Sequence, residues 1–382
     1  MTPLEAARAL GPTLATRSEE IEAARRLPAD LAAAMAAAGL FRIAVPKSLG
    51  GHELPPADIV AVIEAVAMAD ASAGWCLMIA ATTGLTSAYP PREFAEAMFA
   101  DPNVITGGVF APLGKAVAEG DNYRVTGRWQ WASGSANCAW LVGGSLIYED
   151  GELRKLPTGA PDHRMMIFPR ADVELIDTWH SAGLKGTGSG DFAVKDVLVP
   201  KARSVSLIVD KPVETGPLYV FPAFGLLALG IAAVASGNAR AALDLAKALV
   251  AGKKQPGSQK TAAERAMTQV SVAKAEASLR AARALLSDSI ATAWAAAQST
   301  GAIDTAMRAD LRLAATHMTR TAVEVCREAY DLGGGASVFL YNPLQRRLRD
   351  AQTMTQHMMV APPTWELTGR VLLGLPTDAS TL

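Results

Sequence analysis

Hydrophobic and polar positions along this chain change period twice. Up to about residue 102, apolar residues recur at helical spacing in an alanine-rich background. Leu31, Met35 and Leu40 mark one face of an early helix that Gly39 ends. Helices are expected over 58–68 and 72–83, with a short one around 93–99. The Pro46 to His52 stretch and the turn Tyr89-Pro90-Pro91 interrupt them.

From 103 to 205 the period drops toward two. Asn122 to Trp131 alternates, and 139–148, 165–169 and 192–200 read as further strands. Turn residues at Gly114, Gly120-Asp121, Glu149 to Gly151 and Thr187 to Gly190 separate them, which predicts a small, mostly antiparallel β domain. From 206 onward the helical period returns over 224–250, 261–299, 303–332 and 343–357, with a short tail at 365–373. Gly333 is expected to cap the third helix, and the loop Gly252 to Gly257 to stop the first. Four helices with mostly short connections predict an up-and-down bundle. The fold class is α+β in three parts, 1–102, 103–205 and 206–382, without an internal repeat.

Composition narrows the partners. Of 382 residues, 50% are hydrophobic and 19% charged, enough for a sizeable core, and the net charge is −1. Nucleic acid and anionic membrane surfaces, which select a strong basic excess, are not expected as main partners. No apolar run is expected to span a bilayer, and the N-terminal segment lacks the apolar core of a signal peptide. Cys76, Cys138 and Cys326 match no metal or redox spacing, so a reduced, cytoplasmic protein with buried structural cysteines is expected.

There is no dinucleotide-binding glycine fingerprint, no phosphate-binding Gly-Lys-Ser/Thr loop and no His-Glu-x-x-His. The five histidines form no close ligand pair, so no metal site is expected. Three constellations remain. Trp129, Trp131 and Trp140 surround Ser133-Gly134-Ser135, which suits a flat conjugated ligand, although such stripes more often fill a β core. Asp177 to Ser189 is a glycine-rich loop including Thr187, fit either to hold phosphate on its N–H groups or simply to connect strands. The last sixty residues hold Gly333-Gly334-Gly335, the arginines 346, 347 and 349 beside Asp350, and His357. The arginines would grip an anion or sit as solvated helix charge, and a lone histidine is more often a core residue than a catalyst. Lys253 and Lys254 reach toward a phosphate across a subunit interface or stand in a solvated loop, the latter preferred.

Taken in order, these pieces resemble the acyl-CoA dehydrogenase superfamily over nearly the whole chain. The marks are Pro46-x-x-x-Gly50-Gly51, Asp70-x-Ser72-x-Gly74-Trp75, Gly127-x-Trp129-x-Trp131-x-Ser133-Gly134, Thr187-Gly-Ser189, Val199-Pro200, and Gly333-Gly334 followed by Arg349-Asp350. The resemblance implies an N-terminal helical domain, a central β domain and a C-terminal four-helix bundle. It also implies a flavin between the β domain and the bundle, in a homotetramer. On the cofactor side it implies Trp131 beside the ring, Ser133 near N5, and Thr187, Ser189, Gly333, Gly334 and Arg349.

Dehydrogenases of this superfamily abstract a proton with a glutamate. Its two usual places correspond here to Met358 and Leu227, neither of which is a base. The other branch is the oxygenase component of two-component flavin monooxygenases, and His357 and Ser133 stand where its oxygen chemistry is supported. That branch implies FMNH2 or FADH2 delivered by a separate NAD(P)H-dependent flavin reductase, a C4a-hydroperoxyflavin, and a small organic substrate, aromatic ones included. Some of its members carry a further histidine on the helix after Ser72-x-Gly-Trp75, where this chain reads Cys76 to Thr83 without one. The competing readings are an acyl-CoA dehydrogenase with another base and a non-catalytic flavin-binding scaffold.

Overall fold

The computed structural model describes residues 1–254 and 259–382, so Gln255 to Gly257 of the expected 252–257 loop lie outside the described residues. The first third forms α1 (Pro3–Thr16), α2 (Ser18–Ala24), α3 (Ala29–Ala37), α4 (Pro56–Ala69), α5 (Ala71–Leu85) and α6 (Arg92–Met98). Local chemistry starts these helices. Thr2 and Glu5 close a capping box on α1, and the Asp70 carboxylate accepts the Ala73 N–H at 2.9 Å to begin α5.

The middle forms β1 (Thr106–Glu119), β2 (Asn122–Trp129), β3 (Trp140–Glu149), β4 (Glu152–Leu153), β5 (His163–Pro169), β6 (Glu174–Ile176), β7 (Asp191–Pro200) and β8 (Ser204–Val205). They make one sheet in the order β6-β7-β2-β1-β3-β5-β8, with β4 beside β3. The sheet is mixed rather than purely antiparallel. After the β1–β2 hairpin the chain crosses to the far side of β1 and enters β3 parallel to it.

Gly114 is not a turn. It lies within β1, opposite Gly127 of β2 and Ser145 of β3, and the ladder shifts register just before it, between Val109 and Gly114. A Cβ at Gly114, Gly127 or Gly143 would run into the indole of Trp129. These glycines make room for that ring, which is fully buried, stacks on Phe192 at 4.7 Å and donates its N–H to the Gly144 carbonyl at 2.7 Å.

The last part forms α7 (Ala223–Gly252), α8 (Ala266–Thr300), α9 (Thr305–Gly333), α10 (Pro343–Met354) and α11 (Pro363–Leu372). α8 starts five residues later than its pattern suggests, because Thr261 and Glu264 close a separate turn and Arg265 is extended. α9 keeps Gly333 as its last residue. Gly334 is the cap, at φ 57° and ψ −141°, a conformation that side chains avoid. α10 stops at Met354, so His357 lies in the turn beyond it.

α7 corrects a further expectation. By length and composition it is apolar enough to cross a bilayer, but 83% of its most apolar window is buried among α4, α5, α8 and α9. One continuous core joins these helices to the inner face of the sheet.

α10 pins the parts together. Arg347 is buried and donates to the carbonyls of Ala67 (2.9 Å), Met68 (2.7 Å) and Ala69 (2.8 Å), satisfying the exposed end of α4. Asp350, one turn on, accepts the Leu184 N–H at 2.6 Å from the loop before β7.

Candidate active site

β2 ends at Trp129, and the next residues turn sharply. Trp131 adopts φ 65°, a left-handed conformation that costs a non-glycine residue on the order of 1 kcal/mol. The turn throws its indole outward, 65% exposed, onto an open cleft of about 340 Å³ lined also by Gln130, Trp179 and Ser189. Trp140 goes elsewhere and packs edge-on against Phe94. Of the three tryptophans, one is core, one packs at the side of the sheet and one faces the cleft.

Two backbone bonds fasten this turn to the glycine-rich loop. Ala132 N–H donates to Gly190 O and Gly134 N–H to Thr187 O, both at 2.8 Å. Ser133, Ser189 and Thr187 are thereby brought together as a buried hydroxyl chain. Ser133 Oγ lies 2.6 Å from Ser189 Oγ, which lies 2.6 Å from Thr187 Oγ1, which donates to Leu184 O at 2.8 Å.

Trp75 on α5 completes the cluster. Its indole N–H donates to Ser133 Oγ at 3.0 Å, and its ring meets that of His357 edge to face with centroids 5.8 Å apart. Trp75 carried no role in the sequence, where it was only part of the Asp70 to Trp75 pattern. The signal available there was a tryptophan one turn after an Asp-capped helix start.

His357 accepts the Met359 backbone N–H on Nδ1 at 3.2 Å, which leaves the proton of the neutral ring on Nε2. Burial lowers its pKa to about 4, and the Arg312 charge pushes the same way. At neutral pH it is an uncharged N–H donor.

The neighbouring carboxylates are committed. Asp70 caps α5, Asp191 pairs with Arg128 at 2.7 Å and accepts from Thr178, and Asp350 holds Leu184 N–H. Desolvation pushes Asp350 up to about 7. Met358 is exposed, and Leu227 packs partly buried against the core.

Arg349 is engaged within the protein. It donates to Ala182 O, to Glu22 at 2.7 Å and to Gln345 at 2.8 Å, tying α10 to α2 and to the loop that carries Thr187 and Ser189. Glu22 also meets Arg346 and Lys185, at 3.7 and 3.6 Å. Gly333 and Gly334 stand apart from the hydroxyl cluster, with Leu249, Ser337, Leu344 and Lys253 as neighbours. Lys253 is not free in a loop, because it donates to Gly333 O at 2.9 Å and caps α9. The three cysteines are buried and unpaired, and desolvation raises each thiol, Cys138 and Cys326 to about 12.

Family models for the acyl-CoA dehydrogenase N-terminal domain and C-terminal domain match residues 5–96 and 229–362. An indole-3-acetate monooxygenase of Pseudomonas putida is 33% identical over 94% of this chain and 90% of its own length. The oxygenase component of an FADH2-dependent resorcinol hydroxylase from Rhizobium sp. is 28% identical over 93% of this chain and 89% of its own. The crystal structure of 3-HSA hydroxylase from Rhodococcus sp. RHA1 superposes with a TM-score of 0.92 at 26% identity, covering 100% of this chain and 99% of that one. Matched by these family models and by a relative over nearly its whole length, this chain belongs to the acyl-CoA dehydrogenase superfamily, on its flavin-dependent monooxygenase branch.

Proposed function

We propose that this protein is the oxygenase component of a two-component system. It receives FMNH2 or FADH2 from a separate NAD(P)H-dependent flavin reductase and inserts one oxygen atom of O2 into a small aromatic substrate. The observation that carries this reading is the Ser133–Trp75–His357 unit, in which a neutral N–H donor stands at the site while residue 358 is an exposed methionine.

The residues fit a flavin. Trp131 offers an exposed aromatic face at the cleft, which Ser189 also lines, and Ser189 bonds the buried hydroxyl of Ser133. A reduced flavin held there supplies the electrons that activate dioxygen. Trp131 would stack on the ring, and Ser133 would bond its polar edge. His357, with its proton on Nε2 beside the Trp75 ring, would supply a fixed hydrogen-bond donor to the oxygen chemistry of the bound flavin. The Trp75 ring packs edge to face against that imidazole. Arg349 acts through the Ala182 carbonyl and Glu22, holding the loop in place.

Gly333 and Gly334 serve the cofactor of a neighbouring copy in a homotetramer. Exposed Val338, Phe339, Leu340 and Tyr341, directly after this corner, support that assembly.

The test is rapid mixing of the reduced-flavin protein with oxygen. A flavin absorbance transient that outlasts the reoxidation of free reduced flavin is expected, together with product when an aromatic substrate such as indole-3-acetate or a phenol is present. Immediate reoxidation, with flavin bleaching by an acyl-CoA, would overturn the reading.

A further inference from the structure

A second, much smaller space adjoins Ser133. It is a largely enclosed cavity of about 10 Å³ between the segments flanking α3, the middle of α5 and the start of the sheet. Leu27, Phe41, Cys76, Ala80, Ile105 and Cys138 supply its apolar wall, and all six are buried. Small residues leave the room. Cys76 and Ala80 stand one turn apart on one face of α5. Gly134, at φ 73°, lines the cavity as well, and a Cβ there would stand 3.5 Å from Cys76 Sγ. A space of this size holds one small molecule.

Water is a poor guest for it. The Asn137 amide N–H at its edge donates to Leu27 O at 2.8 Å, and Ser133 is bonded to Trp75 and Ser189. The Cys138 thiol faces Gly134 O at 3.4 Å and the Cys76 thiol faces Thr187 O at 3.9 Å. Past these groups the wall is aliphatic or aromatic carbon and the Thr106 hydroxyl, whereas a buried water needs two to four polar partners. Gly134 and Asn137 are half-buried where the other walls are buried, so the protein surface lies nearest on that side.

We propose that this cavity is a binding site for dioxygen, held next to the place where it reacts. The proposal rests on the reading of the Ser133 cluster as a flavin site. Ser133 lines the cavity, and its hydroxyl bonds Ser189, which lines the Trp131 cleft, so these two residues connect the two spaces. Dioxygen is small, uncharged and apolar, and it gains by leaving water for a preformed dry space of carbon and sulfur. An aromatic substrate needs a site of about 300 Å³ or more, so the cavity admits the gas and excludes the organic substrate. No bond forms or breaks there. The cavity raises the concentration of dioxygen beside the flavin site, and Ala80 sets its size.

The first test uses xenon, an inert apolar probe, on pressurised crystals of the wild type and of Ala80→Val. One xenon atom is expected between Ala80, Ile105 and Cys138 in the wild type. Ala80→Val adds two methyl groups to that space and should expel it. The second test is rapid mixing of oxygen with the protein loaded with reduced FMN or FAD. The oxygen reaction should slow severalfold in Ala80→Val while anaerobic flavin affinity stays unchanged, and xenon pressure should slow the wild type in the same way. A wild-type cavity without xenon overturns the proposal. So does an occupied cavity with an oxygen rate that neither xenon nor Ala80→Val moves. Should Ala80→Val not fold, the effect of xenon on the wild-type rate decides alone. Failure of the wild type to bind either reduced flavin overturns the flavin reading, and the role in oxygen supply with it, even where xenon fills the cavity.

Discussion

The Trp75 indole N–H donates to the Ser133 hydroxyl at 3.0 Å, joining the first turns of α5 to the loop beyond β2. The same ring presses against His357, so one side chain fixes both groups proposed to act on the flavin and on oxygen. Trp75 is 5% exposed, and its bond is made out of reach of water.

Trp75→Phe keeps an aromatic ring beside His357 and deletes the N–H. Ser133 then loses its fixed donor, at a cost of about 1 kcal/mol in unfolding free energy. Hydrogen peroxide release should rise severalfold at the expense of product. Urea denaturation and a coupled peroxide assay read the two effects. Unchanged coupling would confine Trp75 to a packing role.

His357→Ala removes the Nε2 donor. Coupled oxygenation should fall on the order of a hundredfold, the usual loss for one preorganised donor, with flavin binding retained. Because burial holds the wild-type imidazole near pKa 4, its nitrogen resonances should stay those of a neutral Nε2–H ring from pH 8 down to 5. A titration midpoint near 6.5 in the NMR spectrum contradicts this.

The same shift affects stability. Unfolded histidine takes a proton near pH 6.5 while folded His357 resists until about 4, so acidification through that window favours the unfolded chain. Asp350 works in the opposite sense. Its folded pKa is pushed up to about 7, so stability is lost as pH rises from the ordinary carboxylate range toward 7. His357→Ala should therefore flatten the acid side of the stability curve. Asp350→Asn should flatten the neutral side and keep a partner for Leu184 only through its carbonyl oxygen. Denaturant midpoints measured from pH 4 to 8 distinguish the two.

Trp131→Gly separates stability from binding. The exposed ring contributes little to the core, and glycine relieves the left-handed backbone, so the variant should gain roughly 0.5–1 kcal/mol. Flavin affinity should fall about tenfold with the loss of the stacking face. Thermal melting and flavin titration test the pair of outcomes, and a destabilised variant with unaltered affinity refutes the assignment.

Much of the fold was legible because it depends on near neighbours. A period near two marked β2, β3, β5 and β7, and a period of 3.6 marked α7 and α9. The misreadings share a cause. Gly114 looks like a turn residue in sequence, yet its smallness serves a tryptophan fifteen positions later on another strand. No run was expected to be apolar enough for a bilayer, yet α7 is, and other helices cover its apolar surface. The site was less legible. Alternation puts Trp129 and Trp131 on one face, but the backbone leaves the strand between them, burying the first and exposing the second. Arg347 and Arg349 look alike in the basic run, although one caps α4 and the other ties α2 to the Ala182 loop.

The sequence by itself determined the order of elements, the superfamily it resembles, and that His357 is followed by a methionine rather than a carboxylate. Those depend on residue identity and on spacing within a turn or a strand. Only the tertiary structure decided which hydroxyls meet, that Trp75 joins Ser133 to His357, and that the imidazole is neutral with its proton on Nε2. These depend on contacts between segments distant in the chain and on the exclusion of water around them.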